Sequence, residues 1–329
     1  MSPPASTPGA VASQLSDKDI LKKIYTSCNG AKWTDSTNWL RDDAPVCTWK
    51  GISCSQDGDI TQISLRSNHL EGCTFPTEVF AIKSLTILAI EGNSIEFSFN
   101  GIEQAQSLVA LDLSQTGISS IEGIGKAFGL KELYLTNNNI RGPLPDDIFQ
   151  LRSLQKLSIA FNGLSSTIPS DIASSLPNLT FLDFNENMLE GNLPPSLPSR
   201  LEVLLASGNK LSGGIPSSID SLDKLMFIDL AKQESSSGGL TGPLPSLANL
   251  RSIKRVDFSE NALTGPIPSD FMSSVAPDDS FGELITFCLF LCDCFLPPCS
   301  LTITYQIFFL PRISRSHHTQ IMSTFPVTN

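Results

Sequence analysis

Apolar and polar positions alternate in one recurring unit along this chain. The stretch from Leu179 to Leu189 reads Leu-x-x-Leu-x-Phe-x-x-Asn-x-Leu, in which Leu182 and Phe184 are separated by a polar residue. A period of two predicts a short strand with one face buried and the other in water. The unit occurs nine times, and its copies open at Ile60, Leu85, Leu108, Leu130, Leu154, Leu179, Leu201, Leu225 and Ile253.

The copies follow one another at intervals of 22 to 28 residues, a period typical of a stacked leucine-rich solenoid. One copy buries about six apolar side chains at ~1.5–3 kcal/mol each, but it orders about two dozen residues at ~1–2 kcal/mol each. A single copy is therefore unstable, and only stacking produces a folded chain. We expect an α/β fold: a right-handed solenoid, or horseshoe, whose repeats span residues 60–273 and whose concave side carries parallel strands.

The ninth position of the repeat is Asn in seven of the nine copies. An amide donates and accepts hydrogen bonds at once, so it can satisfy main-chain groups of the adjacent turn. Thr116 and Gln233 stand at this position in the third and eighth copies, which predicts an imperfect ladder of amides. The asparagines are Asn68, Asn93, Asn138, Asn162, Asn187, Asn209 and Asn261.

Two further motifs carry a family resemblance. Several copies continue as Leu-x-Gly-x-(Ile/Leu)-Pro, as in Leu189–Pro194, and Cys47–Cys54 reads Cys-Thr-Trp-Lys-Gly-Ile-Ser-Cys. The chain thereby resembles plant-type leucine-rich repeat proteins, which include receptor-like ectodomains and secreted inhibitors. Ile24–Trp33 is similar to related proteins of algae and other protists. The resemblance implies a Cys/Trp-rich N-terminal cap over residues 20–59, which covers the open edge of the first repeat. It also implies a disulfide between Cys47 and Cys54.

The cellular compartment depends on the cysteines and on the N-terminus. Cys28 and Cys73 are predicted either to form a second disulfide or to stay as buried free thiols. A disulfide-bonded cap indicates an oxidising compartment, so we expect an extracellular or membrane-associated protein. Residues 1–19, which we expect to be disordered, lack the apolar run of a signal peptide; a cytoplasmic protein or an incomplete start is the alternative. In a secreted protein, the sequon at Asn178 predicts a glycan.

The tail, residues 274–329, loses the repeat pattern. Residues 284–310 are almost purely apolar and long enough to span a bilayer, and Arg312 follows them, which favours membrane association through this segment. Asp293 and the pair Pro297–Pro298 oppose it, because charge and broken hydrogen bonding cost most near the centre of a bilayer. The alternative is a non-native C-terminus.

The charge and composition of the chain argue against several classes of function. The net charge of −11 argues against nucleic acid, which needs a basic footprint. The chain has three histidines and none of the glycine-rich phosphate loops or nucleophile motifs of common enzymes, so we expect no enzyme, no cofactor and no metal site. Asp183, Asp229 and Asp257 fall in one strand column that we expect to be exposed. That column could hold a cation or supply acid and base, but a solvated charged face is the favoured interpretation.

The concave sheet is the better candidate for function. The third residue of each repeat faces outward on it, and Phe181, Val203 and Phe227 make this position apolar in three consecutive repeats, with Leu205 beside them. A contiguous apolar stripe indicates a binding patch. Its margins are predicted to be Lys156 and Arg255.

We therefore expect a non-enzymatic recognition module, receptor-like or involved in defence or signalling, that binds a protein, peptide or glycan partner through its concave face. Two alternatives follow from the same pattern. The first is an inhibitor of a secreted cell-wall hydrolase. The second is an intracellular scaffold, or a fragment without a ligand of its own.

Overall fold

A computed structural model of the chain describes residues 15–236, 238–271 and 273, and two tail strands, Ile285–Phe287 and Ile307–Phe309, which pair antiparallel. One ten-stranded sheet runs the length of the repeat array. Its strands are Ile52–Cys54, Ile60–Ser64, Ile87–Ala89, Ala110–Asp112, Glu132–Tyr134, Lys156–Ser158, Phe181–Asp183, Val203–Leu205, Phe227–Asp229 and Arg255–Asp257.

Every repeat contributes one strand to this sheet, and neighbouring repeats pair in parallel and in step. Phe181 lies opposite Val203 and Val203 opposite Phe227, so the third residues of consecutive repeats form a continuous row. The fourth and sixth residues point into the core, as Leu182 and Phe184 do at 1% exposure each. The predicted stacked solenoid is confirmed, and each strand after the first covers only the third to fifth residues of its repeat.

Short elements follow the ninth position on the other side of the solenoid. The strands pair as Glu71–Thr74 with Ser94–Glu96, then Arg141–Gly142, Gly163–Thr167, Met188–Asn192 and Lys210–Ser212, and finally Thr241–Gly242 with Ala262–Leu263. The helical turns are Thr77–Ala81, Ile102–Gln104, Ile124–Lys126, Asp146–Gln150 and Ser217–Ser221, with one short α-helix at Ile172–Ser175.

The chain turns inward at the eighth and ninth residues of each repeat. The eighth residue has a positive φ in all nine repeats, including non-glycine residues such as Phe161 at 53°. A left-handed residue other than glycine costs roughly 1–2 kcal/mol, so something must hold it there. The amide at the ninth position does so by binding the main chain on both sides of the turn.

Asn187 shows how the amide works. Its Nδ2 donates to the carbonyl oxygens of Ile159, Phe184 and Asn185, and its Oδ1 accepts from the main-chain N–H of Leu164. One side chain thus joins two repeats, as the sequence predicts.

The two exceptions to asparagine behave differently. Gln233 donates to the carbonyl oxygens of Ala206, Leu230 and Ala231 and accepts from the N–H of Leu211, so it restores the ladder. The hydroxyl of Thr116 lies within hydrogen-bond distance of the Leu113 carbonyl, at 2.6 Å, and of the Asn138 Oδ1, at 3.2 Å, but it is too short to reach the preceding repeat. The ladder is therefore interrupted in the third repeat, and in the first repeat Asn68 bonds to the main chain of Asp35 in the cap.

The N-terminal cap begins with an α-helix at Asp17–Ser27, three residues before the boundary expected at residue 20. The Ser16 hydroxyl accepts from the N–H of Asp19 and caps this helix, a local bond that the apolar pattern does not reveal. Two helical turns follow, Gly30–Lys32 and Val46–Thr48. The strand Ile52–Cys54 then pairs antiparallel with Ile60–Ser64 and covers the edge of the first repeat.

Aromatic packing fills the cap. Trp33 and Trp39 lie 4.9 Å apart between ring centroids, and Trp39 and Trp49 lie 5.0 Å apart. All three are nearly inaccessible to solvent, and the Trp33 Nε1 donates to the carbonyl of Cys28. The cap is thus a small apolar core that continues the core of the solenoid.

Two disulfides close the cap. Cys47 is joined to Cys54, seven residues away, and Cys28 is joined to Cys73, 45 residues away. The second bond joins the end of the first helix to the first repeat. Of the two alternatives for Cys28 and Cys73, a disulfide or free thiols, the structure therefore contains the disulfide.

The amide ladder predicts a large cost for removing one rung. Asn209→Leu should lower the free energy of unfolding by about 1–3 kcal/mol, because the buried Leu189 N–H loses its side-chain acceptor and the Phe184 carbonyl keeps only the Nδ2 of Asn187 as a side-chain donor. Equilibrium urea unfolding measures the change. The exposed Asn100→Leu is the matched control and should change stability by under about 0.5 kcal/mol. Equal effects of the two substitutions would contradict the role of the ladder.

The two disulfides should differ in their contribution to stability. Loop entropy gives about 4 kcal/mol for closing 45 residues and about 2.4 kcal/mol for closing seven. The pair of substitutions Cys28→Ala and Cys73→Ala should therefore lower the melting temperature more than Cys47→Ala with Cys54→Ala. Calorimetry of the two double variants, prepared under oxidising conditions, tests the order. The reverse order would show that the longer loop is already held by packing.

Candidate ligand-binding face

The concave face presents the third, fifth and seventh residues of every repeat. In the third-residue row, the register runs Lys156, Phe181, Val203, Phe227 and Arg255 on consecutive strands. All the residues expected to bind a ligand therefore lie together as predicted, and whether they bind one stays a prediction. We call Phe181, Val203, Leu205 and Phe227 the apolar ladder.

Members of the apolar ladder differ in exposure. Phe181, Leu205 and Phe227 are half-buried, but Val203 is only 8% exposed and does not form the open surface expected from the sequence. The reason is steric, because strands about 4.8 Å apart place a phenylalanine on each side of the smaller Val203. Val203 is therefore the floor of the patch, and the two aromatic residues form its raised sides.

Both basic residues at the margins are already paired. The Lys156 Nζ lies 2.9 Å from Glu132, which also accepts from the Tyr134 hydroxyl, and Arg255 lies 3.3 Å from Asp257. Lys156 and Arg255 therefore lie at the two margins of the patch, but each is paired with an acid. Each positive charge is largely neutralised by an acid that the apolar pattern does not place beside it.

The fifth-residue row is acidic and is not the exposed column expected from the sequence. Asp183 is 2% exposed and Asp257 is 5% exposed. Asp183 accepts from the Ser158 hydroxyl at 2.9 Å and from the Asn185 N–H at 3.1 Å. Asp257 accepts from the N–H and the hydroxyl of Ser259. Asp183 lies between two neighbouring strands and Asp257 lies on the last strand of the sheet, and both carboxylates are held by hydrogen bonds from neighbouring hydroxyl and main-chain N–H groups.

Burial shapes the electrostatics of this row. Loss of water raises the pKa of Asp183, and the charge of Asp229 raises it further. Burial also raises the pKa of Asp229, as does the charge of Asp257. Folding thus places these carboxylates close together, which disfavours their ionised form.

A second acidic group lies nearer the cap, and the sequence gives no motif for it. Glu91 is the seventh residue of the second repeat; its Oε1 lies 2.9 Å from the Arg66 Nε, and its buried Oε2 has no hydrogen-bond partner. Burial and the nearby charge of Asp112 raise the pKa of Glu91 to about 7. Burial likewise raises the pKa of Tyr134 well above its usual range. In the sequence, only the repeat register indicates this group, because it places Glu91 at the seventh position of its repeat.

The sequon lies at the entry to the apolar ladder. Asn178 is half-buried, one residue before the sixth repeat opens, and its Nδ2 donates to the Arg152 carbonyl at 2.9 Å. Glycosylation at this position stays a prediction.

No cluster of three metal-ligating side chains occurs within residues 15–271. Among the helices that the structure describes, none is long and apolar enough to cross a bilayer. Residues 284–310, expected to associate with membranes, lie outside the described part apart from two three-residue strands.

Comparison with known proteins agrees with this architecture. The family described as Leucine Rich Repeat matches residues 129–151, 153–175, 178–199 and 200–222. Receptor-like protein 35 of Arabidopsis thaliana is 30% identical over 265 residues, which cover 70% of this chain and 28% of that protein. The chain spans less than a third of the length of the curated relatives it matches.

Solved structures also superpose on this chain. The structure described as PEPR1-AtPEP1 superposes with a TM-score of 0.65 at 25% identity, over 78% of this chain and 36% of that one. The Arabidopsis receptor kinase HAESA, solved with the peptide hormone IDA and the co-receptor SERK1, superposes with a TM-score of 0.60 at 28% identity. That match covers 77% of this chain and 47% of HAESA.

The raised pKa of Glu91 predicts a pH-dependent stability. The folded protein holds this proton more tightly than the unfolded chain, whose value is near 4.5, so stability falls as pH rises from about 4.5 to about 7. Glu91→Gln removes that titration. The difference in melting temperature, variant minus parent, should therefore become more positive between pH 5 and pH 8. The exposed Glu103→Gln should show no such trend, and a difference independent of pH for Glu91→Gln would refute the assignment.

Proposed function

We propose that this chain, a plant-type leucine-rich repeat protein, is a receptor-like recognition module that binds an extended peptide across repeats six to eight. The apolar ladder is the observation that carries the proposal. Three consecutive strands present aromatic and aliphatic side chains in register over about 10 Å, the length of about three extended residues. Aromatic anchors surrounded by polar groups are the usual anatomy of an interaction hot spot.

The surroundings of the ladder support binding without catalysis. The nearby acids are fixed by hydrogen bonds from Ser158, Asn185 and Ser259, and both margin cations are paired. Such groups orient a ligand. The relatives include receptor-like proteins, and the similar structure of HAESA is described with the peptide hormone IDA. These likenesses favour a peptide over a glycan.

Two disulfides support an extracellular or membrane-associated location for this module. Both bonds close the cap, and neither touches the concave face of repeats six to eight. An oxidising compartment keeps such bonds intact. A glycan on Asn178 would then stand beside the entry to the sixth repeat and limit the approach of a bulky partner from that side.

Replacement of both aromatic residues tests the proposal. Peptides selected from a random 12-residue display library against the parent protein should bind Phe181→Asp/Phe227→Asp at least about 30-fold more weakly, as expected for loss of hot-spot side chains. Both side chains are half-buried beside Val203, so the double variant should melt somewhat lower than the parent but stay folded at the temperature of the binding measurement. Isothermal calorimetry on synthetic copies of the selected peptides measures the affinity.

Phe128→Asp is the matched control for charge at an exposed aromatic residue. Phe128 is 66% exposed and lies two residues before the fourth repeat opens, away from the ladder. The selected peptides should bind this variant as they bind the parent. The proposal is contradicted when they bind the double variant with unchanged affinity.

A further inference from the structure

We propose that the Cys47–Cys54 disulfide of the cap is a thiol-exchange site, at which a small thiol such as glutathione joins reversibly to the sulfur of Cys47. The site is separate from the candidate binding face, because the cap precedes the first repeat and that face lies on repeats six to eight. The two disulfides of the cap have different surroundings, and that difference carries the inference.

The two bonds differ in their access to solvent. Cys28 is completely buried and Cys73 is 6% exposed, and both belong to the apolar core, so the bond between them is covered. Cys47 is exposed and Cys54 is half-buried. A thiolate must approach a disulfide sulfur along the line of the S–S bond, and of these four cysteines only Cys47 is open to such an approach.

The exposed bond also constrains little of the chain. It joins the helical turn Val46–Thr48 to Cys54, the last residue of the strand at the edge of the ten-stranded sheet. The pairing of this strand with the first repeat shifts in register between Ser53 and Cys54, so the bond is attached at the irregular end of the strand. Its loop of seven residues restricts the unfolded chain less than the 45-residue loop of the other bond. Exposed disulfides that stabilise little are the ones that exchange readily.

Other contacts hold the segment between the two cysteines. Trp49 is 1% exposed, and its ring centroid lies 5.0 Å from that of Trp39. The Gly51 carbonyl accepts a hydrogen bond from the Ser64 N–H at 2.7 Å, which joins the segment to the first repeat. These contacts do not depend on the disulfide. Opening of the bond should therefore loosen only the outer end of the cap, residues 54–59, and leave the aromatic core in place.

Exchange at this bond needs only the thiol. The thiolate of glutathione forms a bond to the Cys47 Sγ, the Sγ–Sγ bond breaks, and its electron pair leaves on Cys54, which takes up a proton from water. Cys54 is then the resolving thiol: its thiolate attacks the Cys47 Sγ of the mixed disulfide, restores the original bond and releases glutathione. A second glutathione that attacks the glutathione sulfur instead releases glutathione disulfide and leaves both cysteines reduced.

Timed thiol treatment of the oxidised full chain tests the site. The protein is exposed to reduced glutathione for increasing times, free thiols are blocked with iodoacetamide, and peptide mass spectrometry measures the linked and the free form of each pair. We expect the Cys47–Cys54 bond to open at least about tenfold faster than the Cys28–Cys73 bond, because a covered sulfur reacts only after local opening. Equal rates for the two bonds, or faster opening of Cys28–Cys73, would overturn the proposal.

Two single substitutions identify the sulfur that is attacked. Cys54→Ser leaves Cys47 as a free thiol and Cys47→Ser leaves Cys54, so each variant lacks the same disulfide and is the control for the other. With glutathione disulfide as the probe, Cys54→Ser should form the mixed disulfide faster, because Cys47 is exposed and Cys54 is half-buried. Faster modification of Cys47→Ser would overturn the assignment of the attack to Cys47.

Hydrogen exchange separates exchange at one bond from unfolding of the cap. After selective reduction of Cys47–Cys54, amide exchange should increase within residues 54–59. It should stay unchanged in the helix Asp17–Ser27, whose end Cys28–Cys73 still joins to the first repeat. Increased exchange throughout that helix would show that the cap needs the Cys47–Cys54 bond to stay folded, which contradicts a reversible exchange site.

Discussion

Main-chain hydrogen bonding between the strands of consecutive repeats holds every repeat in the same register. Phe181, Val203 and Phe227 lie opposite one another for this reason alone, although 22 and 24 residues separate them along the chain. Because of this register, residues at the same position of successive repeats form one row of side chains across the sheet. The candidate binding face is a consequence of that register.

The buried amides keep the register in place. Each amide follows a residue in the left-handed region, and from the second repeat onward it bonds to main-chain groups of two repeats, as Asn187 does. Gln233 shows that the requirement is for an amide that reaches these groups, not for asparagine as such. The cap holds the open end of the sheet in place, because its strand Ile52–Cys54 pairs with the strand of the first repeat. The apolar core, the buried amides and the cap therefore stabilise the solenoid. The exposed side chains of the concave face are the ones left for contacts with a ligand.

The sequence was sufficient for those features that repeat. The strands, the amide ladder and the position of the apolar ladder follow from a spacing that nine copies share. Features that depend on contacts between different repeats did not follow. The exposure of Val203 depends on the size of its neighbours, and the burial of Asp183 depends on Ser158 from the preceding repeat. The ion pair of Lys156 with Glu132 joins neighbouring third residues whose charges the apolar pattern does not consider, and the buried Oε2 of Glu91 has no hydrogen-bond partner although Arg66 binds the other oxygen. The start of the first helix was missed because a single hydroxyl at Ser16 decides it.

The central claim is that a peptide lies on the concave face of repeats six to eight. Photo-cross-linking tests it most directly: a selected peptide carrying a benzophenone side chain is irradiated in complex with the full chain, and the joined residues are identified by mass spectrometry. We expect cross-links within Phe181–Asp183, Val203–Leu205 and Phe227–Asp229. Cross-links confined to the opposite strands, Met188–Asn192 and Lys210–Ser212, would contradict it.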